Sequence, residues 1–234
     1  MQQVAHIFRK EFSTYFLSPI AYIVISIFLL VTGWFFFTTF FILNQADLRN
    51  FFSMLPIIFA FVIPAVTMRL FSEELNVGSY ETLLTLPVTY LDVVLGKFLA
   101  AVAFVAAMLL PTGLYAVTVF FLGQLDWGPV VGGYIGALLL GGAFSAIGLF
   151  ASSLTRNQII SFIIGVAICF SLTLIDRMLF FLPRGMLGFL GYLGAAHHFQ
   201  NIAKGIIDSR DILYFLSICF IGLYGAHLVI AEKN

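Results

Sequence analysis

Between residues 12 and 46 no Asp, Glu, Lys or Arg interrupts the chain, and five further windows share that property: 50–68, 98–125, 127–155, 157–175 and 212–231. A charge at the centre of a membrane helix costs roughly 2.5 to 3.5 kcal/mol on the insertion scale, while each Leu, Ile or Phe contributes only about 0.3 to 0.6 in the other direction. Charges therefore mark the ends of crossings. A bilayer takes roughly 20 apolar residues per helix. Trimmed to that ruler, the windows predict transmembrane helices at 20–42, 54–71, 95–122, 131–152, 158–181 and 212–231. With 62% of its 234 residues hydrophobic, 9% charged and a mean hydropathy of +1.08, the chain lacks the charge to solvate a soluble domain, which carries about a quarter charged residues. The expected fold is all-α, a single polytopic membrane domain over residues 1–234.

A seventh uncharged stretch, 185–203, reads differently. Only 186–196 is apolar, about half a bilayer. Gly185, Gly188, Gly191 and Gly194 recur every three residues ahead of His197, His198, Gln200 and Asn201. The expectation is an extracytoplasmic re-entrant or interfacial element within 183–210, where protein or water satisfies the backbone. Six crossings put both termini on one side. With that side cytoplasmic, Arg9, Lys10, Arg69, Lys97, Arg156 and Lys233 lie inside and Arg49, Arg177, Arg184, Lys204 and Arg210 outside, a six-to-five vote by the positive-inside rule. Arg9 and Lys10 ahead of the first span, against Arg49 after it, vote the same way.

Residues 3–17 form a separate unit. Val4, Phe8, Phe12 and Phe16 fall at i, i+4 spacing with Tyr15 beside them, and Gln3, His6, Arg9, Lys10 and Ser13 cover the other face. That pattern predicts an amphipathic helix in the headgroup plane; the alternative is a cytosolic extension of the first span. The apolar stretch that follows is far longer than the core of a signal peptide, so the N-terminus is expected to be retained. In the fourth span Gly132 and Gly136 make a GxxxG, and Ala137, Gly141 and Ser145 continue a small-residue stripe. Such stripes let helices approach closely in lipid; lining a substrate path is the other reading. Pro56, Pro64 and Pro111 are expected to kink their spans.

Formal net charge is zero, with 11 basic and 11 acidic residues, which argues against a nucleic-acid partner or a polybasic lipid clamp. Cys169 and Cys219 each lie inside an apolar run and read as small buried hydrophobes. His197-His198 has no third ligand nearby and reads as an interfacial polar tip, not as a metal site.

The longest polar stretch is 72–97, S-E-E-L-N-V-G-S-Y-E-T-L-L-T-L-P-V-T-Y-L-D-V-V-L-G-K. Ser79 can cap a helix after Gly78, Glu81 then sits in its first turn, and Pro87 stops it after Leu86. Tyr80, Leu83 and Leu84 share one side of that short helix. Thr89 and Asp92 make a capping box that opens the third span. An amphipathic helix of two turns between two spans needs either a cytosolic partner or the bilayer surface to cover its apolar face.

The string Glu73-Glu74, Gly78, Glu81-Thr82-Leu83-Leu84-Thr85-Leu86-Pro87-Val88 and Gly96-Lys97 resembles the permease subunits of type-2 ATP-binding-cassette exporters. In layout the resemblance covers the whole chain, and the compact size is most similar to the gliding-motility-type permeases. Asn76-Val77 stands where basic residues are common in that family, and Ser79-Tyr80 where a Thr-aliphatic pair is frequent. The resemblance implies an N-terminal elbow helix at 3–17, a coupling segment at 73–86 between spans two and three, and a membrane-dipping element between spans five and six. It further implies that Glu73, Glu74, Gly78, Ser79, Tyr80, Glu81, Leu83 and Leu84 dock onto a cytoplasmic ATPase subunit. That subunit would bind ATP and Mg, and this chain would hold no cofactor. The other implied partners are a second permease copy or a related permease, membrane lipids and, in some systems, an accessory subunit with an extracytoplasmic domain. The implied location is the bacterial inner membrane, both termini cytoplasmic.

No G-x-x-x-x-G-K-[ST] phosphate loop occurs, so the chain cannot bind ATP by that device. The rival readings are a passive channel or scaffold, which calls for rings of polar residues along a span, and an intramembrane enzyme, which calls for facing ionisable residues at mid-depth. Asp176 and Arg177 are sequence neighbours near a span end and His227 lies near another, a poor basis for either. The phenylalanine-rich spans suit a hydrophobic cargo, and lipid-facing Phe explains the same composition.

Overall fold

A computed structural model describes residues 2–43, 47–78, 89–178, 192–206 and 208–232. The described residues form ten α-helices and no strand: α1 (Gln2–Leu17), α2 (Pro19–Leu43), α3 (Arg49–Thr67), α4 (Arg69–Val77), α5 (Tyr90–Leu109), α6 (Gly113–Leu122), α7 (Trp127–Leu154), α8 (Gln158–Met178), α9 (Ala195–Ala203) and α10 (Ser209–Glu232). Six runs are long and apolar enough to cross a membrane, with α3–α4 and α5–α6 each counting as one. The chain is a multi-pass membrane protein.

The bundle is organised around α7. Of its most apolar window 78% is buried within the chain, against 17% for α10, and it packs against α3, α4, α5, α8, α9 and α10. Small residues make this possible. A Cβ on Gly132 would lie 2.4 Å from the Ile202 carbonyl oxygen, one on Gly136 3.3 Å from Phe199, one on Gly141 2.7 Å from Val105 and one on Gly148 1.9 Å from Thr67 Oγ1. Ser145, in the same stripe, is fully buried. At Gly132 a neighbouring backbone, and at Gly136, Gly141 and Gly148 neighbouring side chains, thereby reach the α7 backbone directly, the close packing that small residues permit in lipid.

Phe28, Phe51, Phe52, Phe59, Phe104, Phe144, Phe199 and Phe215 are buried inside the chain. Much of the aromatic content is therefore core packing, and the exposed fraction is spread over α2 (Phe35, Phe37, Phe41), α3 (Phe61), α6 (Phe120, Phe121) and α10 (Phe220). Several polar groups in the spans find partners within the bundle, as an anhydrous slab favours, whereas the buried Ser145 and Ser161 hydroxyls have none among the described residues. Thr32 and Thr67 donate to the carbonyls of Phe28 and Ile63, Tyr115 donates to the Leu29 carbonyl at 3.2 Å, and the Thr112 and Tyr134 hydroxyls lie 3.1 Å apart.

The three prolines behave differently. α3 runs without interruption through Pro56 and Pro64 to Thr67, whereas the span that contains Pro111 is broken by a 3₁₀ turn, Leu110–Thr112, between α5 and α6. A proline lacks the N–H that would hold the preceding turn; at Pro111 the chain tightens instead. Thr89 and Asp92 form the capping box their spacing predicts, the Thr89 hydroxyl accepting from Asp92 N at 3.2 Å and the Asp92 carboxylate from Thr89 N at 3.1 Å.

The part of the 183–210 element before Tyr192 lies outside the described residues. After it, α9 packs against α7 and buries Ala195, His198, Phe199 and Ile202 on one face. His197 is exposed but His198 is 3% exposed, so the pair is no common polar tip. The i, i+3, i+4 spacing turns His198 inward with the apolar face. Its Nδ1 lies 2.5 Å from Asp211 Oδ1, its Nε2 3.0 Å from the Tyr192 carbonyl, and the Tyr214 ring stacks on it at 4.1 Å. A left-handed backbone at Gly205 (φ 86°) then lets the chain turn against Gly128 and Pro129.

Candidate functional site

At the end of the bundle that carries α1, three helices meet around one ammonium group. The Lys97 side chain, on the second turn of α5, is 1% exposed. Its Nζ donates to Glu11 Oε1 of α1 at 3.1 Å and to the Leu70 carbonyl at 2.8 Å, and forms an ion pair with Glu74 Oε1 of α4 at 2.8 Å. The Phe71 ring lies 5.3 Å beneath the ammonium, within cation–π range. A buried charge persists only when paired and hydrogen-bonded, and Lys97 meets that condition by drawing on two other segments of the chain.

Each helix is positioned by local features. α1 presses on α5 at Gly96, where a Cβ would lie 2.7 Å from Ile7 Cγ2. Ile7, Glu11 and Tyr15 follow at i, i+4 spacing on the side toward the bundle, with Ile7 and Glu11 buried and the Tyr15 ring 5.0 Å from Phe104. Phe8, Phe12 and Phe16 form an adjacent half-buried stripe, their rings contacting in series at 5.7 and 5.0 Å. Burial, with the Glu11 carboxylate close by, pushes the Tyr15 phenol well above its ordinary range, so it stays protonated.

α4 begins where α3 breaks at Met68. There the buried Ser152 hydroxyl of α7 accepts from Phe71 N at 2.9 Å and from Ser72 N at 3.0 Å, and donates to the Met68 carbonyl at 2.9 Å. The hydroxyl supplies acceptors for N–H groups that a new helix leaves unpaired. Arg69 clasps Glu73 across one turn, Nε to Oε2 at 2.9 Å and Nη2 to Oε1 at 3.3 Å. At the far end Gly78 adopts φ 75° and closes α4 in the left-handed conformation that glycine permits.

Of the docking residues implied by the resemblance, Glu73, Glu74 and Gly78 thus lie on or at the end of α4. Ser79, Tyr80, Glu81, Leu83 and Leu84 lie outside the described residues. The two acids differ: the Glu73 side chain is 43% exposed and engaged by Arg69, whereas that of Glu74 is 17% exposed and committed to Lys97. Sequence reasoning quoted Lys97 in the motif without a role and missed Glu11, Arg69 and Ser152. The available signal was a lysine seven residues into a span in a chain with so few charges, since an ionisable group in such a place needs a named partner.

Beside the junction is a cavity of about 220 Å³ between α1, the start of α2, the α3–α4 break and α5. Lys10, Glu11, Tyr15, Arg69, Glu74 and Lys97 line its polar end and Val24, Val66 and Phe104 its apolar wall. Among the described residues no group of three His, Cys, Asp or Glu could hold a metal. His227 packs 6.4 Å from the Tyr90 ring, and its Nδ1 is buried without a hydrogen-bond partner among the described residues.

The sequence profile of the family described as "ABC-2 family transporter protein" matches residues 5–210. No curated protein matches the chain.

Proposed function

Since the chain belongs to the ABC-2 transporter family, we propose that it is the permease subunit of an ATP-driven exporter, paired with a second copy or a related permease. Separate cytoplasmic ATPase subunits bind ATP and Mg and supply the energy. The observation that carries this reading is the buried Lys97 junction, which fastens α1, α4 and α5 into one body at the base of the 79–88 segment. A helix docked to an ATPase does useful work only if its membrane end does not yield. The Ser152 stitch, which anchors α4 to α7, and the Lys97 junction, which anchors it to α1 and α5, meet that requirement. A displacement applied to residues 79–86 then reaches α3, α5 and α7 together, as a rigid-body motion of packed helices.

In this reading α1 is the elbow helix and its end of the bundle faces the cytoplasm of a bacterial inner membrane, with residues 73–86 as the coupling segment. Glu73, the more exposed of the two acids, offers its carboxylate to the ATPase surface with Tyr80, Leu83 and Leu84. Glu74 acts inward. Gliding-motility-type permeases are an analogy in size and layout, which leaves room for an accessory subunit and for mechanical work in place of cargo export.

Copurification tests the assignment. The paired substitutions Leu83→Asp and Leu84→Asp should abolish recovery of the ATPase subunit with this chain in mild detergent while membrane insertion stays intact. Normal recovery, or labelling of Thr82→Cys from the outer face only, refutes it.

A further inference from the structure

Lys97 has more anions around it than it needs. One buried ammonium faces two carboxylates, Glu11 and Glu74, whose side chains are 11% and 17% exposed. Lys10 Nζ lies 3.8 Å from the same Glu11 oxygen, and the open cavity beside the group is lined by cations and acids together, Lys10, Arg69 and Lys97 with Glu11, Glu73 and Glu74. Oε2 of Glu74 is buried with no hydrogen-bond partner among the described residues, and so is the Tyr15 hydroxyl. Both residues line the cavity. Unpaired buried polar atoms are rare in native proteins and call for a missing partner. At Glu74 Oε2 the missing partner is a hydrogen-bond donor, while the Tyr15 hydroxyl can donate or accept.

Lys10, 62% exposed and 3.8 Å from Glu11, and Arg69, whose Nη1 is not used by Glu73, also line the cavity. Toward the bundle the wall turns to hydrocarbon at Val24, Val66 and Phe104, and from Ile20 the exposed face of α2 continues through Ile23 and Ile27. Carboxylates and cations lining one cavity, with an apolar track alongside, describe a zwitterionic amphiphile.

We propose that this cavity binds the head group of a primary-amine phospholipid from the adjoining leaflet, which is the cytoplasmic one in the orientation given above. The ammonium donates to Glu74 Oε2 and the Tyr15 hydroxyl, the phosphate lies between Lys10 and Arg69, and the acyl chains run along α2. A choline head has no N–H to donate, and a purely anionic head would bring negative charge toward two carboxylates. The cavity takes a small head group and is far too small for a whole lipid. Bound there, the lipid would brace α1 against α2 and α3, next to the groups that fix α4.

Delipidated full-length protein, offered equimolar phosphatidylethanolamine, phosphatidylcholine and phosphatidylglycerol with identical acyl chains, should retain the first in preference by roughly tenfold in native mass spectrometry, the scale of one charge-assisted hydrogen bond. Glu74→Gln and Tyr15→Phe should each bring the ratio toward one, the latter with no drop in melting temperature, which separates lost binding from lost folding. Equal retention of the three lipids, or a preference untouched by both variants, overturns the proposal. Glycerophosphoethanolamine, the head group without chains, should compete only at much higher concentration; competition at concentrations similar to the lipid's means a soluble amine ligand and overturns the lipid assignment. No ATPase is present in this assay, so its result is independent of the docking test.

Discussion

Replacing Lys97 by methionine keeps the stem of the side chain and removes the ammonium. What remains is two carboxylates directed at the same spot, with the Leu70 carbonyl also losing its donor at 2.8 Å. Removing one partner of a buried ion pair costs about 3–5 kcal/mol, most of it the penalty of the charge left behind. The Glu11 and Glu74 side chains keep 11% and 17% exposure to water, so the expected loss for Lys97→Met lies near the lower bound, about 3 kcal/mol. The triple variant Lys97→Met, Glu11→Gln, Glu74→Gln removes all three charges, and neutral replacement of a buried ionic cluster is often close to harmless, so it should recover to within about 1 kcal/mol of the parent. Unfolding in mixed micelles with increasing dodecyl sulfate, followed by the fluorescence of Trp34 and Trp127, measures both. A single variant that loses less than about 1 kcal/mol, or a triple variant no more stable than the single, would show that the ammonium does not hold α1, α4 and α5 together.

Ser152→Ala leaves the N–H groups of Phe71 and Ser72 without their acceptor, at a cost of about 1–3 kcal/mol; amide exchange should accelerate at the start of α4 while the capped start of α5 keeps its protection. Gly148→Ala places a Cβ 1.9 Å from Thr67 Oγ1 and 2.9 Å from its Cβ, an overpacking expected to cost about 1–3 kcal/mol; thermal unfolding in detergent should show the drop, and adding Thr67→Ala should restore part of it.

The crossings were legible because the bilayer penalises charge so heavily that eleven acids and eleven bases had few places to go. Local chemistry was legible too: the Thr89–Asp92 box is written in four residues and folds as written. The break at Met68 was not. The uncharged window ended at Met68 but the predicted span ran on to residue 71, and the group that meets the chain at this break is a hydroxyl 84 residues away in sequence. The stripe of α7 announced close packing by its spacing but not its neighbours, because Ile202, Phe199 and Val105 reach it only through tertiary folding. Lys97 illustrates the same limit, since its partners come from α1 and α4 and neither has any sequence relation to it. The coupling residues from Ser79 to Leu84 rest on the resemblance and lie outside the described residues.

Glu11 and its ammonium are separated by 86 residues. At a ribosomal speed of 5–20 residues per second, α1 therefore exists for on the order of ten seconds before the helix that carries that ammonium has been made. During that interval its carboxylate cannot be drawn into hydrocarbon, and the nascent segment has to wait at the water boundary with its phenylalanine edge in the lipid. Biogenesis is in this sense ordered by a single late-arriving lysine: the earliest helix made becomes the last of its group to be locked.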